Sequence, residues 1–198
     1  MSQMSRPSPV YRFLGIVSYP VVHALFRLET HGLEHLPRGG FVLAANHESN
    51  FDPWPLGMPL LPRRWMRFMA KSELYWWPLS LVLKGGGAFK VRRGTGDTEA
   101  IATAVDLVRD GEIVVMFPEG TRRKKGLRKK WQARAHTGAA RIAHDAGAPL
   151  VPAAIKGTDK LSRLKLKVAY GEPFDPGDDA RAATDKLMSD IEKLYETL

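Results

Sequence analysis

Short apolar runs that alternate with helical stretches place this chain among the α/β proteins. The expected architecture is a single-domain sandwich: a mostly parallel central sheet flanked by helices and preceded by an apolar N-terminal helical segment. Three observations carry that expectation. The runs Phe41–Ala45, 113–117 and 150–155 are almost continuously apolar, as strands buried on both faces are. Residues 97–109 carry Ile101, Val105 and Val108 on one face, with Gly111 just past the end, the marks of an amphipathic helix and its stop. At 198 residues, 44% hydrophobic and 26% charged, the chain can bury one sizeable core and contains no low-complexity tract.

Residues 1–30 form the N-terminal segment and 31–198 the main domain. Residues 1–9 hold one arginine, and no small-residue cleavage site follows the apolar part, so no signal peptide is expected. Residues 13–26 are uncharged, but a helix of that length covers only about 21 Å. A bilayer core needs roughly 30 Å, and Pro20 is expected to break the run. The segment therefore does not span a membrane. With Arg12 and Arg27 at its edges and Tyr11 and Tyr19 among the aliphatics, it either lies in a membrane interface or packs as a core helix.

Residues 32–40 read as a loop that feeds the strand Phe41–Ala45. Asp52-Pro53 reads as a helix start, with aspartate as N-cap and proline at the first helical position. A short strand is expected over 67–70, then an aromatic-rich helix over 72–83, capped by Ser72 and ended by Gly85-Gly86-Gly87. Ala88–Val91 is a strand leading into Arg92-Arg93-Gly94. After the helix over 97–109 come a strand over 113–117, a helix over 133–146 ending at Gly147, and a strand over 150–155. An alternating strand over 164–170 and an amphipathic helix over 178–195 complete the chain.

Net charge is +9 and the excess is concentrated. Arg122, Arg123, Lys124, Lys125, Arg128, Lys129, Lys130 and Arg134 follow one another with no acid among them, a run suited to an anionic partner or to a solvated loop. The absence of cysteine excludes disulfides, thiolate metal sites and cysteine nucleophiles, and is compatible with a reducing compartment. No histidine spacing suggests a metal site.

Two elements carry chemistry. Asn46-His47-Glu48-Ser49-Asn50-Phe51-Asp52 sets a histidine and an aspartate five positions apart at the end of a strand, where α/β folds keep their sites. Neutral imidazole is a natural base near neutral pH, and a carboxylate on its other nitrogen fixes the tautomer. A helix would rotate Asp52 roughly 140° away from His47, so a tight turn through Ser49 and Asn50 is required. Spacing alone leaves Asp52 equally readable as a cap and His47 as a hydrogen-bonded loop residue. The second element, Glu119-Gly120-Thr121-Arg122, ends another strand with a turn glycine, a hydroxyl and a guanidinium, a grouping that suits phosphate. Arg93 can supply a second fork. Neither a dinucleotide fingerprint nor a P-loop motif is present.

Asn46-His47-x-x-x-x-Asp52, then Gly87 to Arg93, then Phe117 to Arg122, then Leu150 to Ala154 resembles the glycerolipid acyltransferases, most closely the 1-acylglycerol-3-phosphate (lysophosphatidic acid) acyltransferases. The four blocks occur in family order over residues 41–155. The resemblance implies transfer of a fatty acyl group from acyl-CoA or acyl-carrier protein, as co-substrate, to the free hydroxyl of lysophosphatidic acid, giving phosphatidic acid. It implies His47 as general base and Asp52 as its orienting partner. Arg93, Glu119, Gly120, Thr121 and Arg122 would hold the acceptor phosphate, and Pro152 and its neighbours would shape a pocket. No metal and no further cofactor are expected. The partners implied are a lysophospholipid, an acyl thioester and an anionic membrane surface, with no nucleic acid, at the cytoplasmic face as a peripheral or monotopic protein.

The second block departs from the family pattern in carrying Lys90 and Arg92, which leaves Arg92 and Arg93 as alternatives for the phosphate. Glu48 stands where many relatives have glutamine, and an extra carboxylate beside the base predicts a pH optimum shifted upward. Trp54, Trp65, Trp76, Trp77, Leu79, Leu81 and Leu83 are candidates for an acyl tunnel or a membrane face, with core packing as the plainer reading. Two rival functions remain at this level. One is an acyltransferase for another lysophospholipid, glycerol-3-phosphate or a glycolipid. The other is a non-enzymatic membrane- or nucleic-acid-binding module using the basic run and Trp131.

Overall fold

A computed structural model describes residues 8–61, 64, 66–91, 98–120, 135–159 and 165–198. Seven strands form one sheet: β1 (Glu29–His31), β2 (Phe41–Ala45), β3 (Met66–Lys71), β4 (Ala88–Val91), β5 (Ile113–Met116), β6 (Leu150–Lys156) and β7 (Lys167–Tyr170). Their order is β1-β7-β6-β2-β5-β3-β4. The five strands from β6 to β4 are parallel; β7 meets β6 antiparallel and β1 runs with β7. The expected α/β architecture with a mostly parallel sheet is thus the observed one.

β2 sits at the centre because every one of its side chains is apolar and can be buried on either face. It pairs with β5 from Phe41↔Ile113 to Ala44↔Met116, and with β6 from Val42↔Leu150 to Ala45↔Ala153. Val42 and Ala44 face α4 (Thr98–Arg109), α5 (Gly138–Ala146) and α6 (Ala180–Thr197), which contribute Val105, Ile142, Leu187 and Ile191 to one core. Phe41, Leu43 and Ala45 face the second core, with Leu56 of α2 (Pro53–Gly57), Leu60 and Tyr170. Near that second face lie α1 (Pro9–Phe26) and α3 (Leu79–Gly85), with Tyr11 of α1 reaching β3, where Met66 N donates to its hydroxyl at 3.4 Å.

Several local expectations need correction. α1 does not stop at Pro20 but runs unbroken from Pro9 to Phe26, with the Ser8 hydroxyl accepting from Tyr11 N as its cap. Proline removes one helical donor, and the partner it deprives, the carbonyl of Ile16, belongs to an exposed turn; Pro20 is exposed as well. No helix among the described residues is long and apolar enough to cross a membrane. Residues 72–83 are not one helix: a 3₁₀ turn over Ser72–Leu74 is separated from α3, which starts only after Pro78, a residue that cannot supply an interior helical N–H. Helix α5 begins at Gly138 rather than 133, and Glu29–His31, where no strand was expected, is a strand pairing with β7.

Candidate active site

β2 ends at Ala45, and the chain then turns sharply. Asn46, fully buried, lays its carboxamide along β6: its Nδ2 donates to Ile155 O and its Oδ1 accepts from Ile155 N, both at 2.8 Å. The side chain thus takes the place of a further strand residue and fixes where His47 begins. The turn that follows closes through Asp52 N donating to Ser49 O at 3.2 Å and Phe51 N donating to the Ser49 hydroxyl at 3.2 Å. This is the tight turn that the five-residue spacing requires.

The turn brings His47 Nδ1 to 2.7 Å from Asp52 Oδ2. Asp52 stands at the cap position of α2, but its backbone is already helical (φ −51°, ψ −40°) and its side chain makes no cap hydrogen bond. The expected helix start at Asp52-Pro53 is thus observed, and the correction concerns only the side chain, which does not cap it. Oδ2 also accepts from the backbone N–H groups of Glu48 (2.7 Å) and Ser49 (2.9 Å), and Oδ1 accepts from the Thr158 hydroxyl at 2.5 Å. A carboxylate buried to 0% exposure is tolerated because four donors meet it. Because an ionised carboxylate only accepts, the His47 proton sits on Nδ1, which leaves Nε2 as the basic nitrogen of the neutral ring. Phe117, just past β5, stacks on the imidazole with centroids 4.2 Å apart and planes at 20°.

Glu48 turns away from this pair. Its Oε1 accepts from the Tyr195 hydroxyl of α6 at 2.9 Å and its Oε2 from Gly157 N at 3.3 Å. Burial pushes its carboxyl above the ordinary range, partly offset by the Tyr195 hydrogen bond. Its carboxylate ties the end of β6 to the C-terminal helix.

Of the phosphate-type residues, Glu119 and Gly120 form the turn after β5, on the Phe117 side of His47. Gly120 has φ 67°, and a Cβ there would lie 2.7 Å from the ring of His136, whose N donates to Pro118 O at 2.9 Å. Glycine is required there both by the left-handed backbone and by the imidazole above it. Thr121, Arg122, the basic run to Arg134, and both Arg92 and Arg93 lie outside the described residues. β4, which leads toward Arg93, is the edge strand, three strands from β2 and so about 14 Å away at ordinary strand spacing. Pro152 lies on β6 directly beside Ala44.

Beside the turn is an apolar cavity of about 230 Å³ enclosed by α1, α2, β3 and α3, with Asn50, Phe51 and Trp54 at the His47 turn and Tyr11, Leu61 and Leu83 among its other walls. Trp54 and Leu83 thus line a cavity, whereas Trp76, Trp77 (79% exposed) and Leu81 are surface residues, and Trp65 is outside the described residues. Residue spacing did not disclose Phe117 and Thr158 as neighbours of the pair, Asn46 as the partner of Ile155, or Tyr195 as the partner of Glu48. Their one signal was position, since Asn46, Phe117 and Thr158 directly follow or nearly follow apolar strands.

The central strand of a mostly parallel sheet thus ends in a buried histidine–aspartate pair beside an apolar cavity, and comparison with known proteins shows which family builds on this fold. The model of the acyltransferase family matches residues 27–156. The chain belongs to that family and is an acyltransferase. It is 32% identical over 205 residues to the 1-acyl-sn-glycerol-3-phosphate acyltransferase of Bacillus subtilis, covering 96% of this chain and 98% of that protein. It is 28% identical to the chloroplastic 1-acyl-sn-glycerol-3-phosphate acyltransferase BAT2 of Brassica napus over 71% of this chain, which spans 40% of the plant protein. The crystal structure of the LPA acyltransferase PlsC from Thermotoga maritima shares the fold, with a TM-score of 0.63 at 22% identity over 91% of this chain and 80% of that one.

Proposed function

We propose that this enzyme moves a fatty acyl group from an acyl thioester, acyl-CoA or acyl-carrier protein, to the free hydroxyl of lysophosphatidic acid, forming phosphatidic acid at a membrane surface. The observation that carries this reading is the 2.7 Å contact between His47 Nδ1 and Asp52 Oδ2 at the carboxyl end of the central strand. His47 Nε2 takes the proton of the acceptor hydroxyl as its oxygen attacks the thioester carbonyl. Asp52 holds the ring in the productive tautomer and stabilises the imidazolium that forms. The thiolate of the donor then leaves and is protonated by the same imidazolium. No serine nucleophile is needed, because the acceptor supplies the oxygen.

The relatives named for this substrate support the acceptor, as does the Glu119-Gly120-Thr121-Arg122 block together with Arg93. The apolar cavity beside Phe51 and Trp54 suits an acyl chain. An exposed apolar surface on α1 (Phe13, Ile16, Val17) and around α3 (Trp76, Trp77, Leu81) suits the membrane interface, and the basic run 122–134 suits its anionic headgroups.

The test is free CoA release from oleoyl-CoA with lysophosphatidic acid or glycerol-3-phosphate as acceptor, for the wild type and His47→Ala. Release that requires lysophosphatidic acid and drops ~100-fold to 10,000-fold in the variant is expected for loss of a general base. Activity in the variant within a small factor of wild type overturns the mechanism, and release with glycerol-3-phosphate alone overturns the acceptor.

A further inference from the structure

We infer that Thr158 is a positioning residue for the reaction, holding the Asp52 carboxylate so that one oxygen stays on His47. The inference rests on the reading of His47 and Asp52 as the catalytic pair. Oδ2 of Asp52 receives three donors from its own turn, His47 Nδ1 and the N–H groups of Glu48 and Ser49. All three act on the same oxygen and leave Oδ1 to be met from elsewhere. Thr158 meets it at 2.5 Å from the far side, 106 residues later in sequence, from the loop after β6.

Both partners are buried, Asp52 to 0% and Thr158 to 2% exposure, so the hydroxyl stands where water does not readily reach. The single hydroxyl proton has two acceptors in view. Asp52 Oδ1 at 2.5 Å takes it in preference to Glu48 Oε2 at 3.5 Å, since the shorter contact to an ionised group is the stronger one. The loop itself is fastened in turn: Gly157 N donates to Glu48, and Glu48 is held by Tyr195. The carboxylate is thereby gripped from two independent elements and cannot rotate about its Cβ–Cγ bond without leaving a buried oxygen unpaired. A carboxylate held in that way keeps its hydrogen bond to Nδ1 as the imidazole gains and loses its second proton.

The experiment compares Thr158→Val, which keeps the shape and removes the hydroxyl, with Thr158→Ser, which keeps the hydroxyl. Steady-state CoA release, melting temperature and the low-field proton resonance of His47 Nδ1–H are read for each. A hydrogen bond to a charged group is worth a factor of roughly 10 to 100. Thr158→Val should lose kcat by about that factor at little change in KM, and its Nδ1–H resonance should shift or broaden. Thr158→Ser should retain both. Should Thr158→Val fail to fold, the serine variant still decides: loss of kcat or of the resonance with the hydroxyl present overturns the assignment. Wild-type kcat and an unmoved resonance in a folded Thr158→Val also overturn it, while leaving His47 and Asp52 in place. The resonance is read without turnover, so it tests the grip on Asp52 even if His47→Ala proves active.

Discussion

Replacing Asn46 by leucine should destabilise the fold strongly. The carboxamide is fully buried and satisfies both Ile155 N and Ile155 O, each at 2.8 Å, on a strand residue that is itself fully buried. Leucine has a similar volume and so excludes water, which leaves two backbone groups unpaired. At about 1–3 kcal/mol for each unsatisfied buried group, the loss is about 2–6 kcal/mol. That is a large share of the ~5–15 kcal/mol that holds a domain together. Asn46→Ala opens space in which a water can bridge the two groups, so its loss from unpaired groups should be smaller. Urea denaturation followed by far-ultraviolet circular dichroism measures both. A leucine variant within ~0.5 kcal/mol of wild type would refute the account of Asn46 as the last residue of strand pairing.

Phe117→Leu keeps an apolar side chain against the core but removes the stack on His47; at ~0.5–1.5 kcal/mol for such a pair, kcat should fall about 2- to 10-fold, and an unchanged kcat removes the role. Burial holds the Glu48 carboxyl above its ordinary value, so the folded state binds more protons than the unfolded one, and the group's contribution to stability declines as pH climbs through and above the ordinary carboxylate range. Glu48→Gln can still accept from Gly157 N and donate to the Tyr195 oxygen. Its melting temperature relative to wild type should therefore be higher at pH 8 than at pH 5, and an equal difference at the two pH values would show that the burial cost is absent. Because Glu48 is turned toward Tyr195 and Gly157, the upward displacement of the pH optimum expected from its charge is to be checked in the same variant by its pH–rate profile.

The parts of the site that were legible in the sequence are those made within one stretch of chain. His47 and Asp52 lie within a seven-residue turn, so their spacing, with the turn-forming Ser49 and Asn50, made their meeting one of two readings, beside that of a helix cap and a loop histidine. β2, β5 and β6 were legible because strands buried on both faces are apolar throughout. The contact of Thr158 with Asp52 depends on β6 lying beside β2, a neighbour relation that no local pattern encodes. Tyr195 reaches Glu48 only through the packing of α6 across the sheet. Where local signals misled, another requirement on the same residue prevailed. The Asp52 carboxylate was claimed by His47, two backbone amides and Thr158 rather than by the helix it precedes, and Pro78 divided a run that periodicity alone joined. The exposed outer side of α1 spared Pro20 the penalty it would carry in a core.

The central place of β2 has a consequence for how the chain is made. Both of its sheet neighbours are synthesised much later, β5 ending at Met116 and β6 at Lys156. At ordinary translation rates of about 5–20 residues per second, β2 waits roughly 5–20 s for β6 to emerge. Throughout that interval the run Phe41–Ala45 has two open edges and two uncovered apolar faces, the features that invite pairing with another chain. Production of this protein should therefore depend on what shelters the nascent chain, and slowing translation before residue 150 should increase the fraction lost to aggregation.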